Sequence, residues 1–189
     1  SDTGKPVGVW IKADTGMHRL GMDLPALDGV IETLSASANV QPGMVLCSHL
    51  ACADDPDNPM TGQQVDKLRA VGEKYKLPLS IANSAGIIAW PEAHAEWNRP
   101  GYMLYGNSPM ISSVEEATGL VPAMSMTSEI VAIKELSPGD GVGYGLNWIA
   151  QKPSRLGTVS IGYADGYPRH APNGTPVLVN GKRVPLVGT

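Results

Sequence analysis

The chain has 189 residues and a mass of 19.9 kDa, enough for one domain or two modest ones and for a sizeable core. With 42% hydrophobic and 17% charged residues it has the composition of a globular protein, not a disordered one. The net charge is −4, split as −6 over residues 1–119 and +2 over 120–189, with no basic stripe for nucleic acid and no apolar run long enough to span a membrane.

From Val7 to about Gly106 short apolar runs alternate with helical patterns. Val7–Ala13 reads as a strand. Leu24–Ser37 reads as a helix with Pro25 in its first turn and Asp23 as N-cap. Met44–His49 is a second strand. Thr61 and Gln64 have the spacing of a capping box that opens a helix to about Tyr75. Leu79–Asn83 is a third strand, Ser84–Trp90 a short helix, and Tyr102–Tyr105 a fourth strand. This order predicts βαβ units and a parallel sheet, with strands apolar enough for burial on both faces.

After about Gly119 the pattern becomes all-β. Ala123–Leu136, Val142–Ala150, Arg155–Ile161 and Pro176–Val187 read as strands. Asn180-Gly181 is a hairpin signal inside the last of them. The expected division places residues 1–118 in an α/β domain and 119–189 in a β-domain. Both ends run straight into strand patterns, as expected for a piece of a longer chain. The first residues, SDTGKPVGVWIKAD, lack the shape of a signal peptide, and two cysteines make no disulfide framework. The expected compartment is the cytoplasm.

Several polar groups fall at expected strand ends. Lys12, Asp14 and Arg19 follow the first strand, where a parallel barrel places its chemistry; from spacing alone a capped turn with solvated charges is favoured. His49 follows the second strand as an anchor or a catalytic group. Cys47 and Cys52 lack a second ligand pair, and Asp54, Asp55 and Asp57 lack the spacing of a calcium loop, so no metal is expected. Asn83-Ser84 suits either a phosphate at a helix start or a plain N-cap. Arg99 and Gly101 add a cation and a position where a ligand can approach the backbone. Together the series points to one anionic ligand. Tyr144, Tyr163 and Arg169 lie among glycines in the β-region, as turn residues or as groups with a chemical role.

The segments KADTGMHRLG, SHLACADD, ANSA, RPGYMLYG, VGYG and IGYADGYPR resemble motifs of bacterial alanine racemase, in that family's order and near its spacings. The resemblance implies the later part of a (β/α)8 barrel that binds pyridoxal phosphate (1–118), followed by the first part of a β-domain (119–189). It also implies a head-to-tail homodimer. The activity implied is interconversion of L- and D-alanine by two bases, supplying D-alanine for peptidoglycan. Tyr144 matches the base that reaches the partner's site, with Arg19 and His49 near its phenol. Arg99 matches the arginine facing the pyridine nitrogen. Ser84, Gly101 and Tyr102 match phosphate-binding positions, and Asn83 matches a pocket-lining one. Lys12 matches a lysine carbamylated in many members, and Tyr163 and Arg169 match residues at the substrate entrance.

The family's cofactor-bearing lysine has no counterpart in these residues, and Thr189 stands where the family usually has Arg. A racemase of broader substrate choice and a non-enzymatic pyridoxal-phosphate carrier are the alternatives. The 189-residue chain by itself is expected to be inactive. Racemisation of alanine by this chain alone, followed by chiral chromatography, would overturn that expectation.

Overall fold

The structure is a computed structural model, and it describes residues 4–111 and 119–188. Thr189 and the stretch 112–118, which contains part of the expected domain boundary, lie outside the described residues. The chain separates into two compact units, Ser1–Ser125 and Met126–Thr189.

The first unit is built on a parallel sheet. Strands β1 (Trp10–Asp14), β2 (Met22–Asp23), β3 (Val45–Cys47) and β4 (Leu79–Ser80) stand in the order β2-β1-β3-β4. Their register sets Lys12 beside Cys47 and Cys47 beside Ser80. Helix α1 (Leu24–Ser35) has Pro25 in its first turn and Asp23 at the N-cap, although the Asp23 side chain makes no capping bond. Helix α2 (Met60–Tyr75) follows β3, and the short α3 (Ser84–Ala89) follows β4. Leu27 and Ile31 of α1 and Val65 and Leu68 of α2 join Ile11 and Leu46 in one core. β1 alternates: Ile11 and Ala13 are buried, Lys12 and Asp14 half-buried and Trp10 exposed. Burial on both faces was the expectation. It holds in β3, where Val45 and Leu46 are buried on opposite faces, whereas in β1 only the Ile11/Ala13 face is buried. The other face carries an edge-on contact of Trp10 and Trp97, ring centroids 5.6 Å apart.

Two local expectations in the first unit are corrected. The first concerns α2. It starts at Met60 with Pro59 at the N-cap and no side-chain cap. Thr61 is buried, with its hydroxyl unpartnered among the described residues, and Gln64 turns into the core. The second concerns Tyr102–Tyr105, which forms a 3-10 turn, not a fourth strand. Its place beside β4 is taken by Trp97 and Arg99, whose amides donate to the carbonyls of Leu79 and Ala82. Pro100 has no N–H to extend that ladder. The hydroxyl of Ser84 then accepts from the amides of Gly101 and Met103 at 3.0 and 3.1 Å, curling the chain.

In the second unit β5 (Ile130–Leu136) pairs antiparallel with β8 (Ser154–Val159). β6 (Gly141–Val142) pairs with β7 (Trp148–Ile149). β9 (Pro176–Val179) and β10 (Lys182–Pro185) form the expected hairpin. Asn180 and Gly181 have φ of 48° and 77°, the left-handed pair that a two-residue hairpin needs. The expected strand 142–150 is broken by a 3-10 turn at Tyr144–Leu146.

Gly106 ends the Tyr102–Tyr105 turn with φ +80°, and a Cβ there would stand 2.0 Å from the carbonyl oxygen of Val121. Gly106→Ala is expected to destabilise the protein by at least the roughly 1–2 kcal/mol that a left-handed non-glycine residue costs. Urea unfolding measures it, and an unchanged midpoint would rule out this close approach.

Candidate functional site

The expected site residues of the first unit gather at the C-terminal ends of its strands, in two adjoining groups. The first centres on Arg99. Its guanidinium donates to the carbonyl of Ser48 and the hydroxyl of Ser80. It also approaches Nδ1 of His49 at 3.4 Å. A guanidinium only donates, so Nδ1 must carry the lone pair, and the neutral ring keeps its proton on Nε2. Burial lowers the His49 pKa first, and the positive charges of Arg99, Lys12 and Arg19 lower it further. Burial also raises the pKa of the Cys47 thiol, against the pull of Arg99 and Lys12, so Cys47 stays protonated and inert near neutrality.

Asp14 does not neutralise this cluster. Its carboxylate accepts from the amides of Gly16 and His18 at 2.9 and 3.1 Å, and from the His18 ring at 3.1 Å. The two backbone bonds are the main reason its pKa lies below the ordinary carboxylate value. The capped turn that spacing favoured is therefore what Asp14 forms, while Lys12 and Arg19 remain as cations beside His49.

The second group is Asn83, Ser84 and Gly101. Asn83 caps α3, its Oδ1 accepting from the amide of Gly86 at 2.9 Å. Its Nδ2 reaches back to the carbonyl of Leu50 at 3.5 Å. Ser84 is buried and already accepts two amide hydrogens, so its own O–H is left to donate. The amide of Gly101 is committed to Ser84, and a Cβ at Gly101 would meet open space. The side chain of Tyr102 is exposed.

Sequence reasoning missed the polar layer beneath these groups. Ser48 Oγ donates to the carbonyl of Ala13 at 2.8 Å, and Thr15 Oγ1 lies 2.8 Å from Ser48 Oγ. Gln64 joins both to the turn that holds His49. Ser48, Thr15 and Gln64 are all buried. A Thr-x-x-Gln spacing carries no mark of whether Gln turns towards its own helix start or into the core.

Tyr144, Tyr163 and Arg169 lie in the second unit. Tyr144 stands between Gly143 and Gly145, whose φ are 73° and 71°. It is 72% exposed, so its ring does not serve as a cover for backbone. The Arg169 guanidinium lies 5.8 Å from the centre of the Tyr163 ring, within cation–π reach. A cavity of about 320 Å³ is lined by Tyr144, Asn147, Arg169, His170, Pro172 and Asn173, among others. A larger one, about 610 Å³, lies in the first unit between α2 and the segment 92–96 and touches none of the expected site residues. No group of three or more metal-ligating side chains occurs among the described residues, and no helix among them is long and apolar enough to cross a membrane.

The N-terminal domain model of alanine racemase matches residues 1–109, and the C-terminal domain model of the same family matches 123–189. The alanine racemase of Shewanella woodyi is 50% identical over 184 residues, 97% of this chain and 51% of that protein. The crystal structure of the biosynthetic alanine racemase of Pseudomonas aeruginosa superposes with a TM-score of 0.86 at 46% identity, over 97% of this chain and 51% of that one. The alanine racemase of Bartonella henselae, solved with covalently bound pyridoxal phosphate, gives 0.71 at 29% identity, over 97% and 50%. The chain thus spans about half the length of the relatives it matches. Its neighbours join a TIM barrel to a β-domain, and this chain, partly α/β and partly β, belongs to the alanine racemase family.

Proposed function

We propose that the protein interconverts L- and D-alanine with pyridoxal phosphate, as its relatives' names indicate, and so supplies D-alanine for peptidoglycan. The observation that carries this reading is Arg99. Its cation is fixed by neutral acceptors and has no carboxylate partner among the described residues. Such a charge suits an anionic, nitrogen-containing ring. The residues present fit the cofactor: Ser84 has a hydroxyl proton to give a phosphate, and the space a Cβ would take at Gly101 is open.

Pyridoxal phosphate, when bound, makes the Cα proton of an amino acid acidic. The roles assigned to this chain's residues follow. Ser84 with its O–H and Tyr102 with its amide would hold the phosphate, Gly101, whose own amide is bonded to Ser84, would leave room for it, and Asn83 would line the pocket. Arg99, always charged, would meet the ring nitrogen of the bound cofactor and disfavour its protonation. Tyr144 is the base for one face of the substrate, reaching the site of the partner in a homodimer. A free phenol titrates near 10, so it needs nearby groups that favour its anion. Arg19 supplies a positive charge, and neutral His49 has an Nε2–H to donate. Carbamylation of Lys12 would convert a cation into an anion able to orient Arg19. Tyr163 and Arg169 line the approach for substrate. Residues 1–118 are assigned to the barrel and 119–189 to the β-domain, and the compartment to the cytoplasm.

Ser84→Ala is expected to weaken pyridoxal phosphate binding by about 1.5–3 kcal/mol, the usual worth of a hydrogen bond to a charged group. Titration of the cofactor-free protein with pyridoxal phosphate measures it, and unchanged affinity would remove Ser84 from the phosphate site. Tyr144→Phe is expected to slow removal of the Cα proton from one enantiomer by roughly 10²–10⁴-fold, with a far smaller effect on the other. Deuterium exchange followed separately from L- and D-alanine distinguishes the two. Equal losses would count against a one-face role. Parallel assays on serine, lysine and arginine test substrate breadth.

A further inference from the structure

Gln64 is fully buried on α2, yet every hydrogen-bonding group of its amide is used. Oε1 accepts from the amide of Ala51 at 2.9 Å. Nε2 donates to the carbonyl of His49 at 2.9 Å and to Thr15 Oγ1 at 3.1 Å. The direction of the whole chain is fixed. Ser48 spends its one proton on the carbonyl of Ala13, so the shared bond between the two hydroxyls must be donated by Thr15. Thr15, its proton spent, can only accept from Gln64.

The four residues 48–51 are consequently held by side chains from three separate segments. Arg99 takes the carbonyl of Ser48, Gln64 the carbonyl of His49 and the amide of Ala51, and Asn83 the carbonyl of Leu50. Arg99 and Asn83 belong to the cofactor site already described. Gln64 belongs to neither of its groups and stands 15 residues from His49 in sequence.

We infer that Gln64 is a positioning residue, whose amide fixes the backbone of residues 48–51 and thereby presents Nδ1 of His49 to Arg99. The inference rests on the role proposed for His49. Loss of the amide leaves the His49 carbonyl and the Ala51 amide without their partners. The turn then has reason to shift towards other acceptors and donors, carrying the imidazole away from the guanidinium.

The experiment compares the wild-type holoenzyme with Gln64→Met and with Leu68→Ala. Leu68 is equally buried on the same helix and, being apolar, has no hydrogen bond to the turn to lose. All are assayed well below their unfolding temperatures. Gln64→Met is expected to lower kcat for alanine by about 10- to 100-fold relative to Leu68→Ala, the scale of a displaced catalytic group, with KM changed by no more than about twofold.

The second readout needs no activity. Burial, and then the charges of Arg99, Lys12 and Arg19, hold the His49 titration below the ordinary histidine value, and its imidazole can be followed by NMR, its signal assigned by its loss in His49→Gln. In Gln64→Met its titration moves up towards the ordinary histidine value, and in Leu68→Ala it does not. An unchanged His49 titration overturns the inference whatever kcat does, and so does a kcat equal to that of Leu68→Ala. A wild-type holoenzyme that racemises nothing overturns the proposed function, and the titration then decides the positioning role alone. If Gln64→Met does not fold, Gln64→Glu takes its place. It keeps the acceptor for Ala51 and, once its buried carboxyl is protonated, one donor, so smaller shifts in the same directions are expected and their absence overturns the inference.

Discussion

Arg99 carries a positive charge into a half-buried site where, among the described residues, no carboxylate answers it. A desolvated cation left alone is costly, and the protein meets that cost with neutral acceptors: a backbone carbonyl, a serine hydroxyl and an imidazole lone pair. Much of the local chemistry follows. His49 is pushed to its neutral form, and the proton it keeps is placed on the nitrogen that faces away from the guanidinium. Asp14, the nearest acid in sequence to Lys12 and Arg19, is spent on its own turn. Among the described residues, the strand ends therefore hold positive charge that no acid neutralises, a field that attracts anions.

The sheet makes this arrangement possible. Parallel pairing brings the ends of β1, β3 and β4 to one edge in matching register, so residues far apart in sequence share one layer. The helices cover the opposite face and supply the apolar core. Gln64 is where these two layers meet. It is a polar group placed in the helix core because the turn above it needs donors and an acceptor from below. A buried amide with all its groups satisfied adds rigidity, whereas a partly satisfied one would be a defect.

Elements set by local chemistry were legible in the sequence. Pro25 announced the first turn of α1, and Asn180-Gly181 fixed the β9–β10 hairpin because few other pairs tolerate two left-handed residues. Asn83-Ser84 suits both an N-cap and a ligand site, and the structure shows the cap at Asn83, while the Ser84 hydroxyl accepts two backbone amides. The misreadings share a cause. Gln64 bonds to Thr15 across 49 positions, and Ser84 curls the chain at Gly101 from 17 positions away. A residue-by-residue pattern contains neither distance. Tyr102–Tyr105 has the composition of a strand, and only the hydroxyl beside it makes a turn. The charge cluster was visible as separate cations, but its lack of a neutralising acid depended on where Asp14 pointed.

The backbone around Tyr144 has a thermodynamic consequence. Gly143, Gly145 and Leu146 all occupy left-handed conformations, so the phenol is displayed on a turn whose shape is set when the unit folds. A loop that became ordered only on meeting its target would lose about 1–2 kcal/mol of backbone entropy per residue at that moment. Here that loss belongs to folding. An encounter that buries the ring has only the side-chain torsions to immobilise, about 0.5–1.5 kcal/mol. The turn is closed by the Leu146 amide on the Gly143 carbonyl, so the tyrosine is presented already folded, and what a contact at its ring costs is set by the side chain more than by its loop.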